Sequence, residues 1–170
     1  MRCISSRIIS FAVAAGIAVT AGIASAAGAA SHITVIDDAA TGKALLGRFD
    51  YVGSWQHVHG KHDGRTNGTS TRSTHTGDVA ILRFSGTRVR IYGVRGRSGG
   101  RAGIALDETS TGGRPVDFFA LRTQTHALIY ESPVLSNGVH TVSIVVWGTR
   151  DERGHYYYVN IDGAEVESPP

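Results

Sequence analysis

The amino-acid sequence predicts an all-β protein with the architecture of an antiparallel β-sandwich or jelly roll. From residue 32 onward, short apolar or alternating runs are broken by Gly, Asn, Asp and Ser at intervals of about eight to twelve residues, a spacing typical of sandwich strands. The pattern contains no helical run of useful length and no internal repeat. About ten strands are therefore expected.

The stretch 77–94, which reads GDVAILRFSGTRVRIYGV, is the central strand signal. The apolar side chains of its two runs share one face each: Ala80, Leu82 and Phe84 in the first, Val89 and Ile91 in the second. The opposite face holds Arg83, Arg88, Arg90 and Tyr92. Alternation on both sides of Ser85-Gly86 predicts a β-hairpin. Val79 and Ile81 make the first strand apolar on both faces, which favours a position inside a sheet covered on two sides.

The first thirty residues, 1–30, predict a secretory signal peptide. Arg2 and Arg7 form a positive n-region, residues 8–23 are apolar and uncharged, and small residues that fit A-x-A cleavage sites follow. The alternative is a membrane anchor, but a spanning helix needs about twenty apolar residues. We expect residues 31–170 to form a single β-sandwich domain that is secreted or periplasmic, with no membrane span after cleavage.

Composition restricts what this domain can do. It would contain about 140 residues, which is enough for one hydrophobic core. The single cysteine, Cys3, precedes the apolar run, so no disulfide is available to the mature domain. Removing Arg2 and Arg7 from the seventeen Lys and Arg leaves fifteen, against fourteen Asp and Glu. This nearly neutral balance gives no electrostatic case for nucleic acid as a partner.

The other elements follow from runs between turn signals. Residues 37–47 are predicted as a loop or a short helical turn through 43–46, and the Ser/Thr-rich run 69–76 is typical of an exposed strand. Ser136-Asn137-Gly138 predicts a turn. Strands are predicted at residues 32–36, 49–52, 55–58, 69–76, 102–107, 115–120, 127–131, 139–147 and 155–162, with a tail strand at 165–166. Loops are predicted at residues 60–68, 95–101 and 148–154.

The loop at residues 93–101, GVRGRSGGR, is rich in glycine and basic residues. It lacks a Gly-Lys-Ser/Thr sequence and no helix follows it, so the spacing of a phosphate loop is absent. We interpret it as a flexible connection between strands. At the rim of a sandwich it could present three guanidinium groups to a polar ligand: Arg95, Arg97 and Arg101.

A histidine-rich segment follows Trp55. On a strand, Trp55, His57 and His59 share one face. Two histidines at this spacing, together with His62 or His75, could bind a transition metal. The alternatives are solvated histidines or polar contacts to a ligand near Trp55.

Acidic residues form three adjacent pairs: Asp37-Asp38, Asp107-Glu108 and Asp151-Glu152. Neighbours on a strand point to opposite faces, so adjacency alone does not make an acid/base pair. If the first and last strands are adjacent, Asp37 or Asp38 meets Asp162, and oxygen ligands gathered there would suit a structural calcium ion. A G-x-S-x-G pattern occurs at residues 96–100 (GRSGG), but no helix is predicted after it, so it is not a nucleophile elbow; the sequence has no Gly-Asp-Ser esterase block.

Sugar binding needs an aromatic platform for the apolar face of a pyranose and side chains that reach its hydroxyls. Candidate platforms are Trp55, Tyr92 and Trp147, together with the run Tyr156-Tyr157-Tyr158. Candidate polar contacts are His59, Arg95 and Asp117. The alternative for each aromatic side chain is packing in the core.

Five blocks of residues occur in the same order in a family of galactose-binding-domain-like jelly-roll modules. Here they are FDYVGSW (49–55), GD with FSGTRVRIYG (77–78 and 84–93), DFF (117–119), LIYES with Leu135 and GVHTV (128–142), and VNID (159–162). The chain resembles these modules over nearly all of residues 31–170. Such modules are appended to secreted bacterial glycoside hydrolases, and they resemble the β-sandwich carbohydrate-binding modules, many of which carry a structural calcium.

The resemblance implies a secreted, non-catalytic, lectin-like protein that binds a polysaccharide or glycan. Such modules usually accompany a catalytic domain, whereas here the module is expected to make up the whole of residues 31–170. This one is therefore expected to act alone or beside a separate enzyme or envelope protein. The alternative is a structural or protein-interaction subunit of an extracellular or envelope complex. A small esterase or lyase is a third hypothesis.

Overall fold

The computed structural model describes residues 30–60, 64–107, 113–148 and 157–170. It confirms the predicted all-β fold, with two antiparallel sheets packed as a sandwich. Within these four segments no helix is long and apolar enough to cross a membrane. Several sequence predictions lie outside the described residues: the signal peptide up to residue 29, His62, Glu108, Asp151-Glu152 and Tyr156.

The described segments contain eleven strands and one short 3-10 turn. The strands are β1 (His32–Asp37), β2 (Arg48–Val52), β3 (Gln56–His59), β4 (Thr69–Ser73), β5 (Val79–Gly86), β6 (Arg88–Arg95), β7 (Arg101–Leu106), β8 (Arg114–Asp117), β9 (Gln124–Glu131), β10 (Gly138–Val146) and β11 (Val159–Ser168). The 3-10 turn spans Thr66–Gly68.

Strand β11 organises the larger sheet. This sheet, sheet A, has the order β3-β4-β11-β6-β9, and β1 also pairs with β11. One edge of β11 is shared, because β4 pairs with residues 159–161 and β1 pairs with residues 163–168. The smaller sheet, sheet B, has the order β2-β5-β10-β7-β8. The chain crosses repeatedly between the two sheets, as it does in jelly rolls.

The hydrophobic core lies between the inner faces of the two sheets. It contains every apolar side chain that alternation assigned to the inner face of the central stretch: Ala80, Leu82, Phe84, Val89 and Ile91. Phe49 and Phe118 are also fully buried there. Each large apolar side chain removed from water contributes about 1.5–3 kcal/mol, so this alternating face accounts for much of the stability.

The predicted hairpin at residues 77–94 is wrong. Strand β5 pairs with β2 and β10 in sheet B, whereas β6 pairs with β11 and β9 in sheet A. The two strands therefore face each other across the core, and only Thr87 connects them. Alternation gives each strand one apolar face. It does not decide whether the next strand is a hydrogen-bonded neighbour or lies on the opposite side of the sandwich.

Other sequence predictions are corrected in part. Strand β5 does lie inside a sheet, but its outer face is not covered, since Val79 and Ile81 are only half-buried. Residues 43–46 form no helical turn, and residues 165–166 belong to β11.

The Ser/Thr-rich strand β4 is buried, although the sequence suggested an exposed strand. The hydroxyls of Thr69 and Thr71 each donate to the buried carboxylate of Asp38 at 2.6 Å. Hydroxyl groups can be buried when they are hydrogen-bonded in this way, so composition alone misjudged the environment of this strand.

Gly86 lies where the chain leaves sheet B for sheet A. A Cβ atom at this position would lie 2.5 Å from the carbonyl oxygen of Glu167 and 2.8 Å from Cγ1 of Val166. Because the backbone of β11 cannot easily retreat, we predict that Gly86→Ala lowers the free energy of unfolding by about 1–3 kcal/mol, measured by urea denaturation.

Gly138 provides a matched control, because it pairs directly with Gly86 across β10 and β5. A Cβ atom at Gly138 meets no atom within 4 Å. Gly138→Ala should leave stability unchanged or raise it by up to about 1 kcal/mol, since alanine restricts the unfolded chain. Equal unfolding free energies for the two variants would show that the crossing at Gly86 is not tightly packed.

Candidate functional site

An open cleft of about 400 Å³ lies at one end of sheet A. Four arginines line it: Arg65, Arg72, Arg95 and Arg97. Tyr158, Asn160, Leu121 and Thr123 also contribute to the lining. We call this site the arginine cleft. Its walls come from β4, the end of β6 and the start of β11, together with the loops that follow β6 and β8.

Arg72 is fixed on the sheet by its cross-strand neighbours. It lies directly opposite Gln56 on one side and Asn160 on the other, so the three side chains share one face. Its Nε and Nη2 atoms donate to Oε1 of Gln56 at 3.1 and 3.0 Å. Its guanidinium carbon lies 4.3 Å from the centre of the Tyr158 ring, a cation–π contact.

The basic loop after β6 is held in place by backbone bonds, unlike the flexible connection that the sequence suggested. The amide of Gly100 donates to the carbonyl of Tyr158 at 2.9 Å, and the amide of Tyr158 donates to the carbonyl of Ser98 at 2.7 Å. On the other side, the amide of Gly96 donates to the carbonyl of Phe118 at 3.0 Å. The loop is therefore anchored to both neighbouring segments.

Arg95 and Arg97 are each anchored by a carbonyl oxygen. Nε and Nη2 of Arg95 donate to the carbonyl of Asp117 at 3.1 and 2.8 Å. Nε of Arg97 donates to the carbonyl of Leu121 at 3.1 Å. Because a guanidinium has five N–H donors, both side chains are oriented while keeping further donors for a ligand.

Asp162 connects the surroundings of the cleft. It occupies a β-bulge, where the pairing of β11 with β6 shifts between Ile161 and Gly163. Its carboxylate is completely buried. Oδ1 accepts the backbone N–H of Thr66 at 2.8 Å, and Oδ2 lies 2.8 Å from Nδ1 of His126. One buried carboxylate therefore ties β11 to β9 and to the turn beside Arg65.

Tyr92 is engaged by neighbouring side chains on the outer face of sheet A. Its ring stacks on that of His126, with centroids 4.2 Å apart and planes within 3°. Its hydroxyl donates to Oε2 of Glu165 at 2.9 Å. Burial raises the pKa of the Tyr92 hydroxyl, and the bond to Glu165 adds to the shift. A ring covered in this way is not a free platform on that face.

Of the six ligand-binding residues predicted from the sequence, only Arg95 lines the arginine cleft. Asp117 and Trp147 lie at the same end of the sandwich. Arg95 bonds the carbonyl of Asp117, which pairs with Arg101, and the amide of Trp147 donates to the carbonyl of Arg101 at 3.1 Å. The indole of Trp147 lies against Gly103, where a Cβ atom would be 2.8 Å from Nε1.

Trp55 and His59 occupy other positions. The indole of Trp55 packs on Tyr51, with ring centroids 5.0 Å apart, and its Nε1 donates to the carbonyl of Val52 at 3.1 Å. His59 is exposed on β3 and meets the ring of His57 edge to face at 5.0 Å. The structure therefore does not gather the predicted stacking residues around one groove.

The carboxylates predicted for calcium lie on neighbouring strands, since Asp37 pairs with Gly163, next to Asp162. Asp37 accepts the side-chain amide of Asn67 at 2.7 Å. Asp38 accepts two threonine hydroxyls, and its Oδ2 lies 3.0 Å from Nδ1 of His57. Burial raises the pKa of Asp38, and the threonine hydroxyls oppose that rise.

As placed, these residues do not fit a calcium ion, because their oxygens are occupied by N–H and O–H donors. Within the described part of the chain, no group of three or more His, Cys, Asp or Glu residues could hold a metal ion.

Calcium binding stays a prediction. If calcium is held there, EDTA will lower the melting temperature and calcium chloride will restore it; an unchanged melting temperature would count against the site.

Three His–Asp pairs occur in the described segments, but their geometry differs from that of a hydrolase triad. A triad histidine uses opposite ring nitrogens for its carboxylate and its hydroxyl. Here Nδ1 of His57 meets both Thr71 and Asp38, Nδ1 of His126 meets both Thr66 and Asp162, and His140 lies between Asp107 and the Ser136 carbonyl. A ring nitrogen that contacts the carboxylate cannot at the same time take the hydroxyl proton while the carboxylate orients the ring through the opposite nitrogen.

Sequence reasoning missed Arg65, Arg72, Asn160 and Thr123. Arg72 is the one cation within the Ser/Thr-rich run, and that isolation was an available signal. Asn160 precedes Asp162 by two residues, and alternation would place both on one face. The bulge at Asp162 breaks this alternation, so the sequence alone could not give the environment of either residue.

No protein-family model matches the chain. In sequence it is similar to the A type blood α-D-galactosamine galactosaminidase of Flavonifractor plautii, with 34% identity over 104 residues. The matched region is 60% of this chain and 9% of the galactosaminidase, so this chain corresponds to a small part of that enzyme.

Solved structures with a similar fold belong to carbohydrate-active proteins. A two-domain esterase active on acetylated mannans, crystallised with mannopentaose, has a TM-score of 0.50 at 14% identity, covering 81% of this chain and 37% of the esterase. A family 6 carbohydrate-binding module has a TM-score of 0.47 at 13% identity, covering 81% of this chain and 94% of the module. The resemblance inferred from the sequence is confirmed for the fold; identities this low bear on the fold alone.

We predict that Asp162→Ala lowers the free energy of unfolding by about 1–3 kcal/mol, because the N–H groups of Thr66 and His126 lose their buried acceptor. Urea denaturation measures the change. Asp50→Ala is the control, since Asp50 is a half-buried carboxylate on β2 and should change stability by less than about 0.5 kcal/mol. A similar small effect of Asp162→Ala would contradict its role as a connection between strands.

Proposed function

We propose that the protein is an exported, non-catalytic module that binds carbohydrate, with the arginine cleft as its binding site. The observation that carries the proposal is the combination of side chains in one open cleft. Guanidinium, amide and hydroxyl groups can bond to sugar hydroxyls, while Tyr158 and Leu121 offer apolar surface.

The size and rigidity of the cleft also favour this function. A volume of about 400 Å³ suits a short oligosaccharide segment better than a whole protein surface. Arg72, Arg95 and Arg97 are already oriented by Gln56 and by backbone carbonyls. Binding therefore costs little side-chain entropy at these positions.

Similar proteins support the same proposal. The sequence relative is named as a galactosaminidase, and the structural neighbour was crystallised with mannopentaose. In both, this chain corresponds to a minor part of the length, as expected for an accessory module beside a catalytic domain. Whole-protein activities of these relatives are not carried over to this chain.

A non-catalytic role is favoured by the His–Asp geometry in the described segments. At His57 and His126 the hydroxyl and the carboxylate meet the same ring nitrogen, and at His140 the second nitrogen faces a backbone carbonyl. None of these arrangements activates a hydroxyl as a nucleophile. An esterase reaction that depends on a hydroxyl-His-Asp triad therefore has no supporting site among these residues.

A second candidate function is protein binding at the edge strand β1. Ile33 and Val35 are 51% and 59% exposed on this strand, which pairs only with β11 in the described structure. The unpaired backbone groups of an edge strand can bind a strand from another protein, and exposed apolar side chains on that strand favour such binding. A stable partner that is captured without glycan, and lost in Val35→Lys, would favour this function.

We predict that the full-length protein binds at least one glycan on an array and that Arg72→Ala weakens this binding about tenfold or more. The variant removes one guanidinium group from the lining of the cleft, together with the bond to Gln56 and the contact with the Tyr158 ring that hold it in place. Titration calorimetry with the glycan found on the array measures the affinity. Arg83→Ala is the matched control, because Arg83 is exposed on β5 of the other sheet.

Trp147→Ala separates the arginine cleft from the alternative rim site that the sequence predicted. Unchanged binding in Trp147→Ala with loss in Arg72→Ala supports the cleft. Loss in Trp147→Ala alone would move the site towards Asp117 and Trp147. Absence of binding to any glycan by the folded protein would remove the proposed function.

A further inference from the structure

We propose that the arginine cleft recognises an acidic sugar, a glycan unit that carries a carboxylate or a sulfate ester. This inference rests on the proposed function and names the chemical class of its ligand. It is based on the charge of the cleft, on how its guanidinium groups are held, and on one buried carbonyl oxygen.

Three arginines of the cleft are held by acceptors that carry no charge. Arg72 is anchored by a side-chain amide, and Arg95 and Arg97 by backbone carbonyls. These three acceptors are uncharged. Among the described residues that line the cleft, none is acidic. A ligand with a negative charge would therefore meet several guanidinium groups and no carboxylate of the described lining.

Two arginines elsewhere on the same sheet form ion pairs with glutamates. Nη1 of Arg88 and Nε of Arg90 lie 3.0 and 2.9 Å from Oε1 of Glu131. Glu165 and Glu167 complete this network at 3.6–3.8 Å. Hydrogen bonds from Arg88 and Arg90 lower the pKa of Glu131, so the network is charged at neutral pH. The uncompensated arginines are thus confined to the cleft end of the sheet.

A neighbouring cleft provides an internal comparison. It has a volume of about 390 Å³ and is lined by Arg95 and Arg114, but also by Asp117 and Glu131. There two cations share the lining with two carboxylates, so an anion gains little. Arg95 lines both clefts, so the contrast between them rests on Arg72 and Arg97, which line the arginine cleft alone. Of these two clefts, the arginine cleft is the one whose lining selects for negative charge.

The anchoring bonds leave donors that match an acid group. Arg97 uses Nε for the carbonyl of Leu121, and its terminal nitrogens form the planar fork that bonds a carboxylate or a sulfate with two parallel hydrogen bonds. Arg95 uses Nε and Nη2 for the carbonyl of Asp117, and Nη1 keeps two N–H donors. Charge-assisted bonds of this kind are about twice as strong as neutral ones.

Asn160 indicates that the ligand also brings a hydroxyl group. The residue is 9% exposed, and its Oδ1 atom is buried with no hydrogen-bond partner among the described residues. A buried carbonyl oxygen without a donor is costly, and a sulfate or carboxylate group has no proton to offer it. A sugar hydroxyl does. Because Asn160 lies opposite Arg72, one ligand can supply a hydroxyl to Asn160 and an acid group to the arginines.

The experiment compares matched charged and neutral glycans by titration calorimetry with the full-length protein. The uronate arm uses a galacturonate hexasaccharide and its fully methyl-esterified form, which has the same sugar backbone and no charge. The sulfate arm uses a sulfated galactan oligosaccharide and its desulfated form. Polyglutamate serves as an anion without sugar. We expect at least one acidic sugar to bind ten times more tightly than its neutral partner.

Two variants connect the preference to the cleft. Arg97→Gln replaces the charged guanidinium with a neutral amide that still donates hydrogen bonds, and it should weaken acidic binding about tenfold while changing neutral binding less than twofold. Arg83→Gln removes the same charge from the other sheet and should leave both affinities unchanged. Raising sodium chloride from 50 to 500 mM should weaken the acidic ligand selectively, because salt screens its charge. Melting temperatures confirm that each variant is folded.

The outcomes separate the two proposals. Preference for one acidic arm that is lost in Arg97→Gln supports the inference and identifies the acid as uronate or sulfate. Equal binding of charged and neutral partners overturns the inference and leaves carbohydrate binding intact. Polyglutamate binding as tightly as the best acidic sugar also overturns it, since charge alone would then suffice. No binding by any arm or by the glycan array overturns both.

Discussion

Strand β11 is the constraint on which the rest of the structure depends. It is bonded to β6 along one edge, and the other edge is divided between β4 and β1. The division occurs near Asp162, where one extra residue forms a bulge and turns a carboxylate into the interior. An unpaired buried carboxylate would be unfavourable, so the chain supplies N–H donors from Thr66 and His126. These two bonds fix segments that lie far apart in the sequence.

The bulge also explains why the two halves of β11 contribute different kinds of side chain to the outer face of sheet A. On the side where β1 pairs, β11 contributes Ala164 and Val166 to the core and Glu165 and Glu167 to the outer face. On the side where β4 pairs, Asn160 faces the arginine cleft. Because the bulge interrupts the alternation, the two halves can present different chemistry on the same face of the sheet. The cleft is therefore a consequence of the strand pairing as much as of the loops.

Sequence patterns predicted the strands well and their pairing poorly, and the reason is physical. Period-two alternation reports which face of a strand is apolar, so Leu82 and Ile91 were assigned correctly to the core. It contains no information on which strand lies alongside, so β5 and β6 were taken for a hairpin although they lie in different sheets. Burial of the hydroxyls on β4 likewise depended on Asp38, more than thirty residues away in the chain. Loop composition predicted Arg95 and Arg97 as candidate polar contacts, and both line the cleft. It did not show which strands meet that loop, so Arg72 and Asn160 were missed.

The distribution of charge on sheet A follows from the same geometry. In the half of β11 that follows the bulge, the pairing of β6 with β11 and β9 places Arg88 opposite Glu167, and Arg90 opposite both Glu165 and Glu131. Cross-strand pairs of opposite charge stabilise a sheet, so these arginines are neutralised where they stand. In the half of β11 that precedes the bulge, Asn160 provides an amide in place of an acid, and Arg72, which lies opposite it, bonds to the amide of Gln56. A sheet that neutralises its cations at one end and orients them with uncharged acceptors at the other concentrates its positive potential where the cleft is open, and that is the arrangement an acidic ligand requires.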